Sequence, residues 1–363
     1  MHITTKEVLP PLGNMPNLQY LLNKDFMIFD IETTGFSKDY AIIYMIGCIY
    51  SKNGCYEYCN IFAESPSEES EVIHHFLMML KDFTCVIHFN GKGFDIPFLL
   101  TRAKKHSIAD TISHLESIDI YDLLRPYRKC LGFPNLKLDT IQAHLGYNRK
   151  DTTTGGELIP IYQRYAKDPY QPYYELLLLH NKEDVEGMIS LLPLIDIFIL
   201  IDQLMLGKDF EYVSSHEGGG ETQIVYSLPY KVGMDFKLSC QLAHLRFSSG
   251  SNLVKLTLPI YEGELKLFFD NYKDYMYLPE KDDVIHKSIA SFMYGHKKVQ
   301  AKKSNCYVSH TGRFISVFKL AHVDQPFRED LRSKDYYVNF DTELNHTFFI
   351  SQLSGFLETC NRL

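Results

Sequence analysis

The chain has 363 residues, 45% of them hydrophobic and 23% charged, with 25 Tyr, 24 Phe and no Trp. Its net charge of −8 argues against a protein that grips duplex nucleic acid through an overall basic coat, while leaving room for a local basic groove. Eight cysteines without any C-x-x-C spacing argue against a zinc site and read as reduced thiols.

The length suggests two domains or three. Residues 1–24 read as a lead-in with Pro10, Pro11 and Pro16. Residues 26–35 then form an apolar run that closes on two acids and a glycine turn: Asp30-Ile31-Glu32-Thr33-Thr34-Gly35. Density of Phe and Ile predicts a buried strand, in which Phe26, Ile28, Asp30 and Glu32 share one face. Two carboxylates side by side at the end of such a strand are costly unless compensated, and a divalent cation is the simplest compensation. A second apolar run covers 41–50. Asn53-Gly54 signals a hairpin, and 56–62 completes an antiparallel meander.

An acidic, Ser-rich loop at 64–71 leads into a helix carrying Val72, Phe76, Met79 and Leu80. Strand 83–89, a turn at Asn90-Gly91-Lys92-Gly93, helix 94–105 and a short fifth strand at 117–121 follow. A helix between strands implies a crossover to a parallel neighbour. Residues 122–203 read as largely helical, punctuated by Pro134, Gly146, Gly155-Gly156 and Pro169. The expected fold is therefore α/β, a five-stranded mixed sheet of three antiparallel strands followed by parallel ones, flanked by helices. The most apolar run, 189–201, is broken by Pro193 and Asp196 and is short for a bilayer. With acid and proline where a signal peptide would be apolar, the expectation is a cytoplasmic protein without a membrane partner.

Beyond about 205 the texture becomes strand-like, with runs at 223–228, 236–247, 253–261 and 264–269 and a helix expected over 282–294. Gly218-Gly219-Gly220 reads as a turn, since no strand-then-helix context supports a phosphate loop. The expected domains are 25–205 and a β-rich α+β domain over 206–363.

Two further features bear on Asp30 and Glu32. Asp95 opens the helix after Asn90, with Pro97 in its first turn; by itself it reads as a helix cap. His180 and Asp184 stand four apart on a helix, so they share a face. The order of strand acids, helix-start acid and helix His/Asp resembles the DEDD superfamily of RNase H-like exonucleases. Within it, the chain is similar to the bacterial YprB-like branch, whose second motif reads N-G then F-D-x-P and whose third reads Y-N-x-x-D-V. The resemblance covers roughly 24–205. The matching stretches include 119–124 and 155–160, the latter reading on its own as a loop entering a helix.

The resemblance implies a 3′–5′ exonuclease on single-stranded DNA or RNA. It implies two Mg²⁺ or Mn²⁺ ions, with Asp30, Glu32, Asp95 and Asp184 as ligands and His180 activating water. Two such ions about 3.5–4 Å apart can clamp the attacking and leaving oxygens of phosphodiester hydrolysis. Thr33, Asn90 and Lys92 are the candidate substrate contacts; for Thr33 and Asn90 a turn-stabilising role is an equal reading. One residue departs from the branch: His180 stands where it carries tyrosine, at the tyrosine spacing to Asp184. Tyr173 and Tyr174 are the nearby tyrosines that could substitute. The departure keeps a rival reading open, a catalytically weak or inactive RNase H-like nucleic-acid-binding protein; an integrase or endonuclease of the same fold fits the motifs less well.

The second half has one legible feature. Between 284 and 323 there is no Asp or Glu, while Lys287, Lys297, Lys298, Lys302, Lys303, Arg313 and Lys319 interleave with Phe292, Tyr294, Tyr307, Phe314 and Phe318. Such a mixture suits a single-stranded nucleic-acid groove, or a solvated basic face over core aromatics.

Overall fold

A computed structural model describes residues 1–8, 15, 16, 18, 25–52, 55–342 and 344–363. The Asn53-Gly54 turn and most of the segment 9–24 lie outside them. The chain divides into two compact units, Met1–Ile201 with Val232–Met234, and Asp202–Lys231 with Asp235–Leu363.

In the first unit the strands are β1 (His2–Val8), β2 (Phe26–Thr33), β3 (Ile43–Lys52), β4 (Cys55–Phe62), β5 (Cys85–His88) and β6 (Glu116–Asp119). They form one sheet in the order β1-β4-β3-β2-β5-β6. The β2–β5 and β5–β6 pairs are parallel and the remaining pairs antiparallel. The α/β class and the mixed sheet are as expected, with one strand more. The sixth is β1, from the segment read as a lead-in. Its sequence HITTKEV is mostly exposed and carries no apolar alternation; it is held as an edge strand by its ladder with β4.

β2 sits in the middle of the sheet, with Phe26, Met27, Ile28 and Phe29 fully buried. The helices of this unit are α1 (Glu69–Met79), α2 (Asp95–Lys105), α3 (Ile120–Leu124), α4 (Leu138–His144), α5 (Gly155–Tyr165), α6 (Gln171–Ile189) and α7 (Leu192–Met205). α1 carries the chain from β4 to β5, the crossover that the parallel β2–β5 pair requires. Its buried Glu69 takes both the Nε and Nη2 donors of Arg102 on α2, the Nε bond at 2.7 Å, and the Ile43 N–H at 2.9 Å. This bidentate pair ties α1, α2 and β3 together. α6 crosses β2 and β3, which places its polar residues over the acids of β2.

By length and composition the continuous stretch 171–205 is long and apolar enough to cross a bilayer, contrary to the expectation from 189–201 alone. However, 61% of its most apolar window is buried within the structure, as befits a core helix. Asp196, which interrupts the apolar run, is buried and accepts the Leu18 N–H at 2.8 Å.

The second unit has β7 (Glu211–Gly218), β8 (Glu221–Ser227), β9 (Phe236–Cys240), β10 (Ala243–Phe247), β11 (Leu253–Phe268), β12 (Tyr275–Leu278), β13 (Asp283–His286), β14 (Val299–Gln300), β15 (Tyr307–Val317), β16 (Phe327–Arg328) and β17 (Tyr336–Asn339). Its helices are α8 (Lys287–Ala290) and α9 (His346–Arg362). The β-rich character is as expected. Two details differ. Runs 253–261 and 264–269 are one long strand, β11. The expected helix at 282–294 is β13 followed by the single turn of α8, because Val284 is needed in a small β-core with Ala301 and Cys306. Gly218-Gly219-Gly220 makes the β7–β8 turn, with positive φ at Gly219 and Gly220.

Candidate active site

β5 pairs with β2 only as far as Ile28↔Ile87. Past that point the β5 chain turns away, and the edge of β2 opens where Asp30 emerges. Asp95, in the first turn of α2, fills the gap: its Oδ1 accepts the Ile31 N–H at 3.2 Å. On the other edge, the β2–β3 register slips between Glu32 and Thr33, a bulge of the kind that re-aims side chains. Asp30, Glu32, Asn90, Asp95, His180 and Asp184 all line one cleft, together with Phe89, Phe94 and Tyr121.

α6 delivers His180 and Asp184 to this cleft and sets Asn181 behind it. His180 Nε2 lies 3.4 Å from Asp184 Oδ2 and 3.8 Å from Glu32 Oε1. Its Nδ1 lies 2.6 Å from Oδ2 of buried Asp151. An ionised Asp151 only accepts, so Nδ1 carries the proton and Nε2 faces Glu32 and Asp184. Between them, buried Asn181 donates from Nδ2 to Asp30 Oδ2 at 3.2 Å and accepts from Asn60 at 3.0 Å. Gly47 stands opposite Asp30 on β3. A Cβ there would lie 1.8 Å from Asn181 Oδ1, so only glycine admits the amide.

The acids repel one another in a dry place. Burial, and then the charges of Asp95, Asp184 and Glu32, hold the Asp30 carboxyl well above the usual range. Burial pushes Glu32 up to about 8, against the pull of His180. Asp95 rises to about 6, again by burial, with the Ile31 N–H opposing. Asp184 is raised by burial, offset by His180 and Arg149. Burial alone would lower His180; the charges of Glu32 and Asp184 and the bond to Asp151 outweigh it and raise the imidazole.

Arg149 sits behind these groups. Its Nη1 donates to Asp184 Oδ1 and, at 3.3 Å, to Gln142; Nη2 reaches Asp151 at 3.4 Å. Glu183 completes the frame, accepting the backbone N–H groups of Lys150 and Asp151 at 2.8–3.1 Å and so pinning the 149–151 loop to α6.

The turn that carries Asn90 has its own support. Asp119 accepts the N–H groups of Asn90 at 2.8 Å, Lys92 at 3.1 Å and Tyr121 at 3.1 Å. His88, Asp119 and Ser117 superficially form a Ser-His-Asp set, with His88 Nε2 2.8 Å from Ser117 Oγ. Yet His88 Nδ1 accepts the Gly91 N–H at 3.1 Å. The ring proton therefore belongs on Nε2, donated to Ser117, and the set holds the turn instead of activating a nucleophile.

Two expected contacts have other partners. Thr33 Oγ1 donates to Gly35 O at 2.8 Å, stabilising its turn. Lys92 Nζ lies 3.6 Å from Asp122. Neither lines the cleft. Tyr173 and Tyr174 do not replace the missing tyrosine: Tyr174 packs on Phe62 and reaches Thr4 of β1 at 3.2 Å, and Tyr173 packs on Tyr170. The 155–160 stretch, read from sequence as a loop entering a helix, is itself the first turns of α5, started by a capping box of Thr154 and Glu157. Sequence reasoning missed Arg149, Asp151, Asn181 and Glu183. Only Asn181 and Glu183 left a signal, lying within the His180–Asp184 turn; Arg149 and Asp151 come from a stretch without periodicity.

The RNase H superfamily model matches residues 27–195. This segment is thus similar to the RNase H superfamily. A weaker relative is the Bacillus subtilis (strain 168) uncharacterized protein YprB, 27% identical over 191 residues, which are 50% of this chain and 45% of that protein. The chain thus spans about half the length of this curated relative. Solved structures similar to the chain include the family B DNA polymerase of Pyrobaculum calidifontis, with TM-score 0.39, 15% identity and coverage of 73% of this chain and 40% of the polymerase. Another is the zinc-bound E. coli ExoI–ssDNA complex, with TM-score 0.31, 11% identity and coverage of 56% and 54%. Scores this low carry no weight for fold or activity.

The donor set fits hard divalent cations. Its oxygens are carboxylates, the ligands that Mg²⁺ and Mn²⁺ prefer. Glu32 Oε1 is buried and has no hydrogen-bond partner among the described residues. Glu32, His180 and Asp184 also bring ligand atoms within 4.8 Å of one another. Among the described residues, His180 and Arg149 are the cationic groups paired with these acids.

Proposed function

We propose that the protein is a divalent-metal-dependent nuclease, a 3′–5′ exonuclease of the DEDD type acting on single-stranded DNA or RNA. The observation that carries the reading is the convergence of Asp30, Glu32, Asp95 and Asp184 with His180 in one cleft of a domain similar to the RNase H superfamily. Asp30, Glu32, Asp95 and Asp184 would hold two Mg²⁺ or Mn²⁺ ions. When bound, such ions supply positive charge to a phosphodiester and to the oxygens that attack and leave. His180, its Nδ1 proton held by Asp151, takes a proton at Nε2 from the attacking water. Asn181 fixes Asp30 through its amide. Asn90 and the rings of Phe89, Phe94 and Tyr121 line the space a terminal nucleotide would fill.

The test is digestion of end-labelled single- and double-stranded DNA and RNA with Mg²⁺ or Mn²⁺. The expected result is a ladder shortening from the 3′ end. Asp30→Asn and Asp184→Asn should lose at least 10³-fold in rate (roughly the loss when an essential group of a catalytic unit is removed) without losing the fold. Full activity in both variants would overturn the assignment.

One observation favours a second reading. Arg149 occupies an oxygen of Asp184, the way a binding module would neutralise an acid it no longer uses. That reading expects salt-sensitive oligonucleotide binding and no cleavage, even with Mn²⁺.

A further inference from the structure

The antiparallel β11–β15 ladder ends at Phe268↔Tyr307. Residues 269–306 leave the sheet there and return, forming an insert with its own three-stranded sheet, β13-β12-β14. It has its own small core of Val284, Ala301 and Cys306, packed by Phe269, Tyr272, Tyr275 and Tyr277.

The insert separates the basic, aromatic stretch into two kinds of residue. Tyr307 and Phe314 are core. Arg313 is surrounded by Glu217, Glu262 and Asp341, and Lys319 pairs with Glu358. Lys298 donates to the carbonyls of Ala290, at 2.7 Å, and Met293, so its charge fixes the loop between them. Each of these residues already has partners within the fold. What is left lies on the insert: Phe292 is 79% exposed and Tyr294 89%. Lys287, Lys297, Lys302 and Lys303 are exposed, with no ion pair among the described residues. Of the insert's acids, Asp282 accepts from the hydroxyls of Tyr277 and Tyr307, Glu280 lies 3.6 Å from His296 and Asp274 accepts from Asn271, while Asp270 and Asp283 are exposed.

Two rings held out in water on a loop that a buried-facing lysine ties down are poor core residues and good stacking platforms. Exposed rings with unpaired lysines near them in the chain match a polymer of flat bases and phosphates, and only a single strand leaves base faces open. We propose that the insert binds single-stranded nucleic acid, bases stacking on Phe292 and Tyr294 and phosphates meeting the lysines. The inference deepens the nuclease reading and rests on it for the class of polymer.

The test is fluorescence anisotropy of the full chain in EDTA, with labelled oligo(dT) and oligo(rU) about 20 nucleotides long, longer than one such site covers. Phe292→Ala with Tyr294→Ala should weaken binding by about tenfold or more. Lys297→Ala with Lys303→Ala should lower the slope of log affinity against log salt by about 0.7 per lysine. All variants should melt as the parent does, since the side chains are exposed. Unchanged affinity and slope would overturn the proposal. So would loss of self-association in sedimentation velocity with oligonucleotide affinity intact, which would assign the insert to a second copy of the chain. The two readings fail separately. Without nuclease activity, Mn²⁺ supports no cleavage, yet binding and its loss in the aromatic variant can still be read. Without this surface, cleavage stands and the variants bind as the parent does.

Discussion

The imidazole of His180 is held by Asp151, Nδ1 to Oδ2 at 2.6 Å, across 29 residues of chain. The bond decides which nitrogen of His180 faces Glu32 and Asp184, and it helps to raise the basicity of the ring. Asp151→Asn should therefore lower the cleavage rate by roughly 10²-fold, the usual scale for a general base set wrongly. Removing the Asp151 charge lowers the imidazole pKa, so the acid limb of the pH–rate profile should move to lower pH. A residue with a merely structural role would reduce the rate and leave that limb where it is.

The raised acids imply a pH dependence of stability without metal. Glu32 has a folded pKa of about 8 against an ordinary 4.5. The folded state therefore binds its proton more tightly than the unfolded state does. That stability is fully present below pH 4.5 and is lost as pH rises through about 8. The Tm in EDTA should fall across this window. Glu32→Gln should flatten the fall and melt higher than the parent at pH 8. Saturating Mg²⁺ should remove the dependence, because a cation replaces the proton. A Tm in EDTA that rises across the window would contradict the site electrostatics.

Gly47 and Asn181 are matched by size. Gly47→Ala puts a methyl group 1.8 Å from Asn181 Oδ1 and should cost about 1–3 kcal/mol, the scale of overpacking a core. It should also slow cleavage by displacing the amide from Asp30. Urea melts give the first effect. Adding Asn181→Ala should recover much of the lost stability, since the clash partner is gone, but none of the rate.

Arg149 balances Asp184 when no metal is present. Arg149→Met leaves His180 as the remaining cationic partner of Asp184 and Asp151 and should lower stability in EDTA by about 1–3 kcal/mol, the cost of a buried polar group that loses its partner. The same change removes a positive charge beside a proposed metal ligand. The Tm gain on adding Mn²⁺ should therefore be larger in the variant than in the parent. An equal gain would show that Arg149 and the metal do not share Asp184.

The RNase H-like sheet was legible because its strands carry local signals. β2 through β5 are apolar runs bounded by turns, and the alternation of β2 sets Asp30 and Glu32 on one face. His180 and Asp184 were legible for the same reason, since four residues along a helix make one turn. β1 was not, because a polar edge strand has no pattern of its own and exists only through its ladder with β4. The expected helix at 282–294 failed because the small core of the insert claims Val284 for a strand.

The sequence by itself determined the acids, their order and the elements that carry them, since periodicity acts over a few residues. Tertiary structure alone decided what each acid faces. It brought Asp151 to His180, Arg149 to Asp184, Asn181 to Asp30 and Asp95 to the open edge of β2. It also sorted the aromatics of 284–323, burying Phe314 and leaving Phe292 and Tyr294 in water. Those outcomes depend on contacts between distant segments, and on which groups lose their water when the segments meet; neither leaves a trace in local spacing.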